Sequence, residues 1–261
     1  MIDMHSHILP GLDDGAADWE QSLAMARVAV ADGITEMVCT PHWAPGKYEN
    51  SRPVIRERFA AFEAQLAAER IPLVVHTGAE LRIDHSIPGR LRAGELLTLN
   101  DGGRYLLLEL PDESLPANLD EFFWTLQMEG YSPILSHVER NPYLREHPRL
   151  LAGWVEKGIL TQITAASLLE EFATEIRDFA LLLLEHRLAH MLVTDTHSLR
   201  MRKPQLSGAR AVIAERFGPE TAARLVLETP RHILRGEAVP IVDPLPLADR
   251  QRKKGFRFFK W

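Results

Sequence analysis

Nine residues of this chain combine metal-donor chemistry with repeated short spacings: His5, His7, Asp14, His42, Glu80, Glu109, His137, Asp195 and His197. Imidazole nitrogens and carboxylate oxygens are what divalent transition ions take when no thiolate is offered. His5-x-His7 is the first arrangement. Side chains two apart in an extended strand point to the same side, so both rings can reach one ion. The spacing returns as Asp195-x-His197. One such pair reads equally well as surface histidines; two at two strand ends point to metal. Glu80 and Glu109 each follow an apolar run, in HTGAEL and YLLLEL. A carboxylate ending a buried strand is costly unless paired or ligated. For Glu109 an ion pair with an arginine is the alternative. Asp14 lies in Gly11-Leu12-Asp13-Asp14-Gly15, which also reads as a turn, and Asp13 is assigned to that turn.

Nine donors are too many for one tetrahedral ion. With water and bridging carboxylates they suit two or three divalent ions, Mn²⁺ first, with Fe²⁺ or Zn²⁺ as alternatives. Four carboxylates against three such ions leave a surplus of about +2, which would attract a phosphate group.

These residues need elements to bring them together. Strand-like apolar runs fall at Met1–Met4, Ile34–Cys39, Leu73–Thr77, Tyr105–Glu109, Ser132–Ser136, Ile159–Ile163 and Met191–Thr194. Six of the seven deliver His, Asp or Glu at or just past their C-terminal ends. Helices are predicted over Trp19–Ala31, capped by Asp18 and followed by Gly33, then Val54–Arg70, Asn118–Glu129, Pro148–Lys157, Leu168–Arg187 and Leu206–Phe217. Seven β-then-α units without a linker predict a closed, barrel-like α/β architecture over residues 1–249, whose C-terminal strand ends share one face. A flat doubly wound sheet has the same local pattern.

Composition bounds the function. The 261 residues are 46% hydrophobic and 25% charged, an ordinary globular balance. The last twelve, RQRKKGFRFFKW, carry six cations, leaving −12 on the remainder of a chain whose net charge is −6. An acidic body argues against nucleic-acid binding, which needs a basic face. One cysteine excludes a disulfide framework. MIDMHSHILP is no signal-peptide core, and the longest apolar run, near Phe179–Leu184, is too short to span a bilayer. The expected location is the cytoplasm. Cysteine-dependent phosphatases need an arginine six residues after the nucleophile; after Cys39 that position is Pro45. No phosphate loop of the Gly-x4-Gly-Lys type, Asp-x-Asp nucleophile or Gly-x-Ser-x-Gly elbow is present.

Longer motifs carry a resemblance. Asp3-Met4-His5-Ser6-His7-Ile8-Leu9-Pro10-Gly11-Leu12-Asp13-Asp14-Gly15, Thr40-Pro41-His42, Gly78-Ala79-Glu80, Leu108-Glu109, Ser136-His137-Val138-Glu139-Arg140-Asn141 and Thr194-Asp195-Thr196-His197 occur in order. So does Pro230-Arg231-His232-Ile233-Leu234-Arg235-Gly236-Glu237. The chain resembles the polymerase and histidinol phosphatase (PHP) superfamily. Within it, the chain is similar to the bacterial CpsB/YwqE-type protein-tyrosine phosphatases of capsule and exopolysaccharide biosynthesis. The resemblance implies a distorted (βα)7 TIM-like barrel of the PHP type and a three-metal centre. His5, His7, Glu80 and Asp195 would hold one ion, Glu80, Glu109 and His137 a second, and Asp14, His42 and His197 the third. Thr196 departs from the small residue usual there. Arg140 is implied as a phosphate clamp through its planar donor fork. Arg202 is the next candidate clamp, with Arg200 as its rival and an exposed basic loop as the alternative.

The expected chemistry is phosphomonoester hydrolysis by a metal-bound hydroxide, with metals and arginines neutralising phosphate charge. A tyrosine phenol, pKa ~10, needs little help to leave; a metal-bound water, or a non-ligating His42, could supply the proton. The implied substrate is phosphotyrosine on the tail of a bacterial tyrosine autokinase that regulates polysaccharide export. The alternatives are a small-molecule phosphatase, such as one for histidinol phosphate, and a non-catalytic metal-containing docking module. Residues 250–261 would either contact an anionic membrane or acidic partner, or remain solvated. His186 and His190 are read as structural or exposed. Trp43 is read as packing rather than lining an aromatic pocket.

Overall fold

The computed structural model describes residues 1–111, 114–169 and 171–247. The expectations for the tail, residues 250–261, therefore lie outside the described residues.

Among the described residues there are ten strands: β1 Ile2–Ser6, β2 Glu36–Cys39, β3 His42–Ala44, β4 Tyr48–Glu49, β5 Val74–Thr77, β6 Glu80–Arg82, β7 Tyr105–Glu109, β8 Ser132–Leu135, β9 Leu160–Thr164 and β10 Met191–Val193. They pair as β1-β2-β5 and as β10-β9-β8-β7-β6-β3-β4. All pairings are parallel except β3 with β4. The two sheets are one barrel of seven staves. β2 continues into β3 and β5 into β6, each after a two-residue break, so the second and third staves are broken at the same level. Pro41, in the first break, has no N–H for a ladder bond. At Gly78, in the second, a Cβ would meet Leu99 at 3.1 Å and Val38 at 3.2 Å. The barrel closes where Ser6 bridges to Thr196; Asp195 N donates to His5 O at 3.0 Å and His7 N to Thr196 O at 2.9 Å.

Strand periodicity sorts the core. Ile2, Met4, Val38, Tyr105, Leu107, Ile134, Leu160, Met191 and Val193 form one cluster, to which nearly every stave contributes alternate residues: the barrel lumen. Leu106, Leu108, Leu135, Ile163 and Leu192 face the opposite way, into a larger cluster under the surrounding helices. Continuing the alternation two residues past Leu107, Leu160 and Val193 puts Glu109, Gln162 and Asp195 at the C-terminal mouth of the lumen. β1 departs from simple alternation. Its register with β2 shifts between Asp3 and Ser6, and that irregularity coincides with the point where Met4 in the lumen is followed by His5 at the mouth.

The helices follow the sequence reading closely. Trp19–Ala31 forms as expected, with the Asp18 carboxylate accepting from Gln21 N at 2.9 Å. One expectation is corrected. Leu168–Arg187 is not one helix; short Ala165–Leu168 and longer Thr174–Glu185 flank a break that contains Phe172. The apolar run 179–184 dominated the periodicity and hid the break upstream.

His190 is buried, and Thr161 N donates to its Nδ1 at 3.1 Å. A second proton on Nδ1 would face that N–H. Burial holds the pKa of His190 down at about 4, with Arg224 adding to the effect. The folded state thus binds fewer protons than the unfolded one between pH 6.5 and 4, so stability falls as pH drops through that window. The expected loss is about 3 kcal/mol. His190→Asn, which keeps an acceptor and cannot titrate, should remove this part of the slope when urea midpoints are compared at pH 7 and 4.5.

Candidate metal centre

All nine candidate donors meet at the mouth of the lumen. His5 Nε2 lies 3.1 Å from His7 Nε2, 3.3 Å from Glu80 Oε2 and 3.4 Å from Asp195 Oδ1. His7 Nε2 is 3.4 Å from each of those carboxylate oxygens. His137 Nε2 sits 3.0 Å from Glu80 Oε1 and 3.9 Å from Glu109 Oε1. Asp14 Oδ1 is 3.5 Å from both His42 Nε2 and His197 Nε2. Donor atoms of His7, Asp14, His42 and His197 group within 4.8 Å, as do those of His5, His7 and Glu80, and of His42, Glu80 and Glu109. These groups overlap the implied ligand sets but share more: His7 belongs to two, and His42 faces Glu80 through Nδ1 at 3.0 Å while facing Asp14 through Nε2. With both ring nitrogens turned to carboxylates, His42 has the placement of a ligand rather than of a free acid.

The donors fit divalent ions on this structure's own terms. Both oxygens of buried Glu80, Asp195 Oδ1, His42 Nδ1 and His197 Nε2 make no hydrogen bond, although neighbours stand at 3.0 to 3.5 Å. Such atoms are costly to bury unless something shared lies between them. Burial works to raise the Glu80 carboxyl pKa, but the facing His5 and His42 outweigh it and hold the group well below the usual range. Asp195 is likewise held low against its burial by His5 and Arg140. Both are therefore anionic, the ligating form. The three groupings make a site for two to three ions.

Backbone geometry marks the same place. His137 (φ 28°) and Asp195 (φ 49°) both take left-handed conformations that non-glycine residues rarely adopt, a strain that concentrates at functional sites. At His137 this turns the side chain toward the mouth just past the end of β8.

Two arginines share the outer oxygen of Asp195. Arg140 Nη1 donates to Asp195 Oδ2 in a short contact, and Arg202 Nη1 donates to the same oxygen at 3.0 Å. Arg202 lines the cleft, whereas Arg200 is exposed and does not. Glu109 takes the anticipated arginine as well, with Arg82 Nη1 at 3.1 Å from its Oε2. The cleft above the donors measures about 640 Å³ and includes Tyr48, Arg82, Phe172 and Met201 in its lining. Trp43, 4% exposed, packs in the core as expected. Cys39 is fully buried beneath the sheet and burial drives its thiol pKa far up, which leaves no nucleophilic thiolate there.

The sequence reading missed the residues that orient the donors. Asp13 is more than a turn residue. Its side chain is buried, Oδ2 accepts from His7 Nδ1 at 2.7 Å and from His42 N at 2.9 Å, and Oδ1 accepts from Gly15 N at 2.9 Å. Gln162 Oε1 stands 3.1 Å from His5 Nδ1. A glutamine on the lumen face of β9 was the available signal. Asp3 accepts from Thr194 N at 3.0 Å and from its hydroxyl, and burial raises its pKa to about 6. Partners on the ring nitrogen, as Asp13 and Gln162 are, fix imidazole orientation and raise ligand basicity, whereas Asp3 ties the backbone of β1 to Thr194. Asp13→Asn sets an N–H₂ against at least one of its three N–H donors whichever way the amide turns, so metal affinity should fall about 10- to 100-fold. Titration of stripped protein with Mn²⁺ checks this, and unchanged affinity would reduce Asp13 to a loop contact.

The likenesses to known proteins agree with this geometry. The sequence model of the capsular polysaccharide synthesis family CpsB/CapC matches residues 1–235. The tyrosine-protein phosphatase YwqE of Bacillus subtilis is 39% identical over 259 residues, 99% of this chain and 100% of that protein. The tyrosine-protein phosphatase CpsB of Streptococcus pneumoniae is 29% identical over 244 residues, 92% of this chain and 100% of that protein. A crystal structure from work on YwqE and CpsB, described there as unique metal-dependent tyrosine phosphatases, matches with a TM-score of 0.90. It is 38% identical, covering 95% of this chain and 100% of that one. Histidinol phosphate phosphatase from Lactococcus lactis, at 15% identity and a TM-score of 0.51 over 85% of this chain and 94% of that one, shares the fold alone. Because the family model spans residues 1–235 and the 39% identity to YwqE extends over 99% of the chain, the chain belongs to the CpsB/CapC family, the PHP-type CpsB/YwqE tyrosine phosphatases of capsule and exopolysaccharide synthesis.

Proposed function

We propose that this chain is a metal-dependent protein-tyrosine phosphatase. The observation that carries the reading is the double use of Asp195. One oxygen faces the His5 and His7 donors, and the other holds Arg140 and Arg202. Phosphate-binding cations are thereby fixed one carboxylate away from the metal donors. His5, His7, Glu80 and Asp195 would hold one ion, Glu80, Glu109 and His137 a second, and Asp14, His42 and His197 a third. Bound divalent ions would supply water activated near neutral pH and positive charge opposite the phosphate; Mn²⁺ suits this carboxylate-rich, thiolate-free donor set.

The chain's own residues do the rest. Arg140 and Arg202 hold the nonbridging phosphate oxygens, their forks oriented beforehand by Asp195. Asp13 and Gln162 keep the rings of His7 and His5 aimed at the mouth. Tyrosine leaves as a phenol of pKa ~10, so no strong protein acid is required. The acidic body and the YwqE and CpsB likenesses support a phosphotyrosine-bearing protein as substrate rather than a nucleic acid. We place the kinase that regulates polysaccharide export as that substrate, with the whole activity in residues 1–249. Among the described residues no helix is long and apolar enough to cross a membrane.

The test is hydrolysis of a phosphotyrosyl peptide by metal-stripped protein, with and without added Mn²⁺ and with iodoacetamide in parallel. Activity should need the metal and survive alkylation, since Cys39 is buried. Activity that persists in chelator, or that faster turnover of histidinol phosphate outruns, would overturn the reading. Each arginine can be tested separately. Arg140→Ala and Arg202→Ala should each lower kcat/KM about 10²-fold, the scale of one lost transition-state contact, and lysine at either position should recover little because it lacks the fork.

A further inference from the structure

The metal donors and arginines fix where a phosphate sits, so the walls above them decide what may be attached to it. Those walls are not uniformly polar. The cleft is lined on one side by Ala44, Pro45 and Tyr48, from the β3–β4 hairpin. Phe172, from the break between helices 165–168 and 174–185, and Met201, from the loop after β10, also line it. Each of the two aromatic rings is anchored to a group of the floor. Tyr48 stacks on His42, with ring centroids 5.6 Å apart and planes 5° from parallel. Phe172 lies under the Arg140 guanidinium, 5.6 Å from Cζ to ring centroid. Both side chains are partly exposed, so neither ring is needed to complete the hydrophobic core.

We propose that Tyr48 and Phe172 are specificity-determining residues that form an aryl slot, selecting a phosphate ester carried on an aromatic ring over one carried on an alkyl chain. The inference rests on the phosphatase reading above and names what that site selects. A planar ring gains offset or edge contacts with both side chains, beyond simple burial. A short alkyl ester spans less of the distance from the donors to the rim and leaves the rings uncovered. The anchoring also explains the residue types: a ring can rest one part on a ligand or a clamp and still present apolar surface to the substrate, which a flexible aliphatic chain does less rigidly.

Two measurements test this. The first compares kcat/KM of Mn²⁺-loaded protein for a phosphotyrosyl peptide and a phosphoseryl peptide of the same sequence, in wild type, Tyr48→Leu and Phe172→Leu. Leucine keeps apolar volume and removes the ring. The ratio of the two substrates should fall about tenfold in each variant, chiefly through a higher KM for the phosphotyrosyl peptide. Equal losses on both peptides would mean that the rings only hold His42 or Arg140, and would overturn the proposal, as would an unchanged ratio. The second uses no turnover: calorimetric binding of phenylphosphonate and methylphosphonate. Wild type should prefer phenylphosphonate by about tenfold or more and the variants should lose that preference. Preference for phenylphosphonate in a protein that hydrolyses no phosphomonoester would sink the phosphatase reading and keep the slot. Hydrolysis of phosphotyrosine without any such preference would do the reverse.

Discussion

Replacing Glu80 with glutamine is expected to lower kcat/KM for a phosphotyrosyl peptide about 10³-fold and to reduce the bound metal by at least one ion per chain. Glu80 is the centre of the donor array. One oxygen faces His5, His7 and His42 at 3.0 to 3.4 Å, and the other faces His137 at 3.0 Å. Glutamine keeps the shape but replaces one oxygen with a donor group and removes the charge. It cannot offer lone pairs to two ions at once. The scale of the loss is that of removing a preorganised charge contact from a water-excluded site, with metal loss added. The metal-free variant should also melt lower, because the facing His5 and His42 outweigh the cost of burying this carboxylate and glutamine removes that pairing. Metal content by mass spectrometry, steady-state kinetics and a melting curve separate these effects. A variant that keeps its metals and works within tenfold of wild type would show that Glu80 bridges nothing.

Gly15→Ala should be nearly as damaging, although Gly15 donates no side chain to the site. A Cβ built on Gly15 would stand 2.0 Å from His7 O, 2.5 Å from His7 Cβ and 2.8 Å from His7 C. These are atoms of a backbone that cannot step aside. His7 N is tied to Thr196 O at 2.9 Å, and Ala16 N donates to His7 O at 3.0 Å. Alanine must therefore push His7 and the Asp13–Gly15 turn apart. Overpacking of this kind costs about 1–3 kcal/mol, and a shift of about 1 Å in a reacting site costs about 10²-fold in rate. The expected result is a lower melting temperature, weaker Mn²⁺ binding and a kcat about 10²-fold below wild type. The requirement is for space rather than for an unusual dihedral, so serine should behave like alanine. Wild-type metal affinity in Gly15→Ala would refute the packing argument.

The contrast between these two residues shows how differently they were legible. Glu80 could be read from the chain because its chemistry is local: a carboxylate at the end of an apolar strand demands a partner wherever it lies. The same holds for Glu109 and Asp195, which strand alternation alone carries to the lumen mouth. His137 escapes that alternation, since a left-handed residue redirects it. Gly15 looked like a turn glycine, because the crowding comes from a histidine eight residues earlier that the chain folds back against. Asp13 reads as a turn residue for the same reason: its partners, the His7 ring and the His42 backbone, meet it only after the first two staves pack. The breaks at 40–41 and 78–79 left no gap in apolar periodicity long enough to announce them, and Phe172 sat inside what read as a continuous helix.

By itself, then, the sequence determined the donor inventory, the seven staves, the face on which the donors gather and the absence of a usable cysteine. Each follows from side-chain chemistry or from a period of two or 3.6 along a single segment. Only the tertiary structure decided which donors share a point, which arginines close on Asp195, which acid orients His7 and which rings wall the cleft. Whether the partners are six positions apart, as Asp13 and His7 are, or 55, as Arg140 and Asp195 are, they meet only through the way the loops fold back and the barrel closes, and no local rule carries that closure.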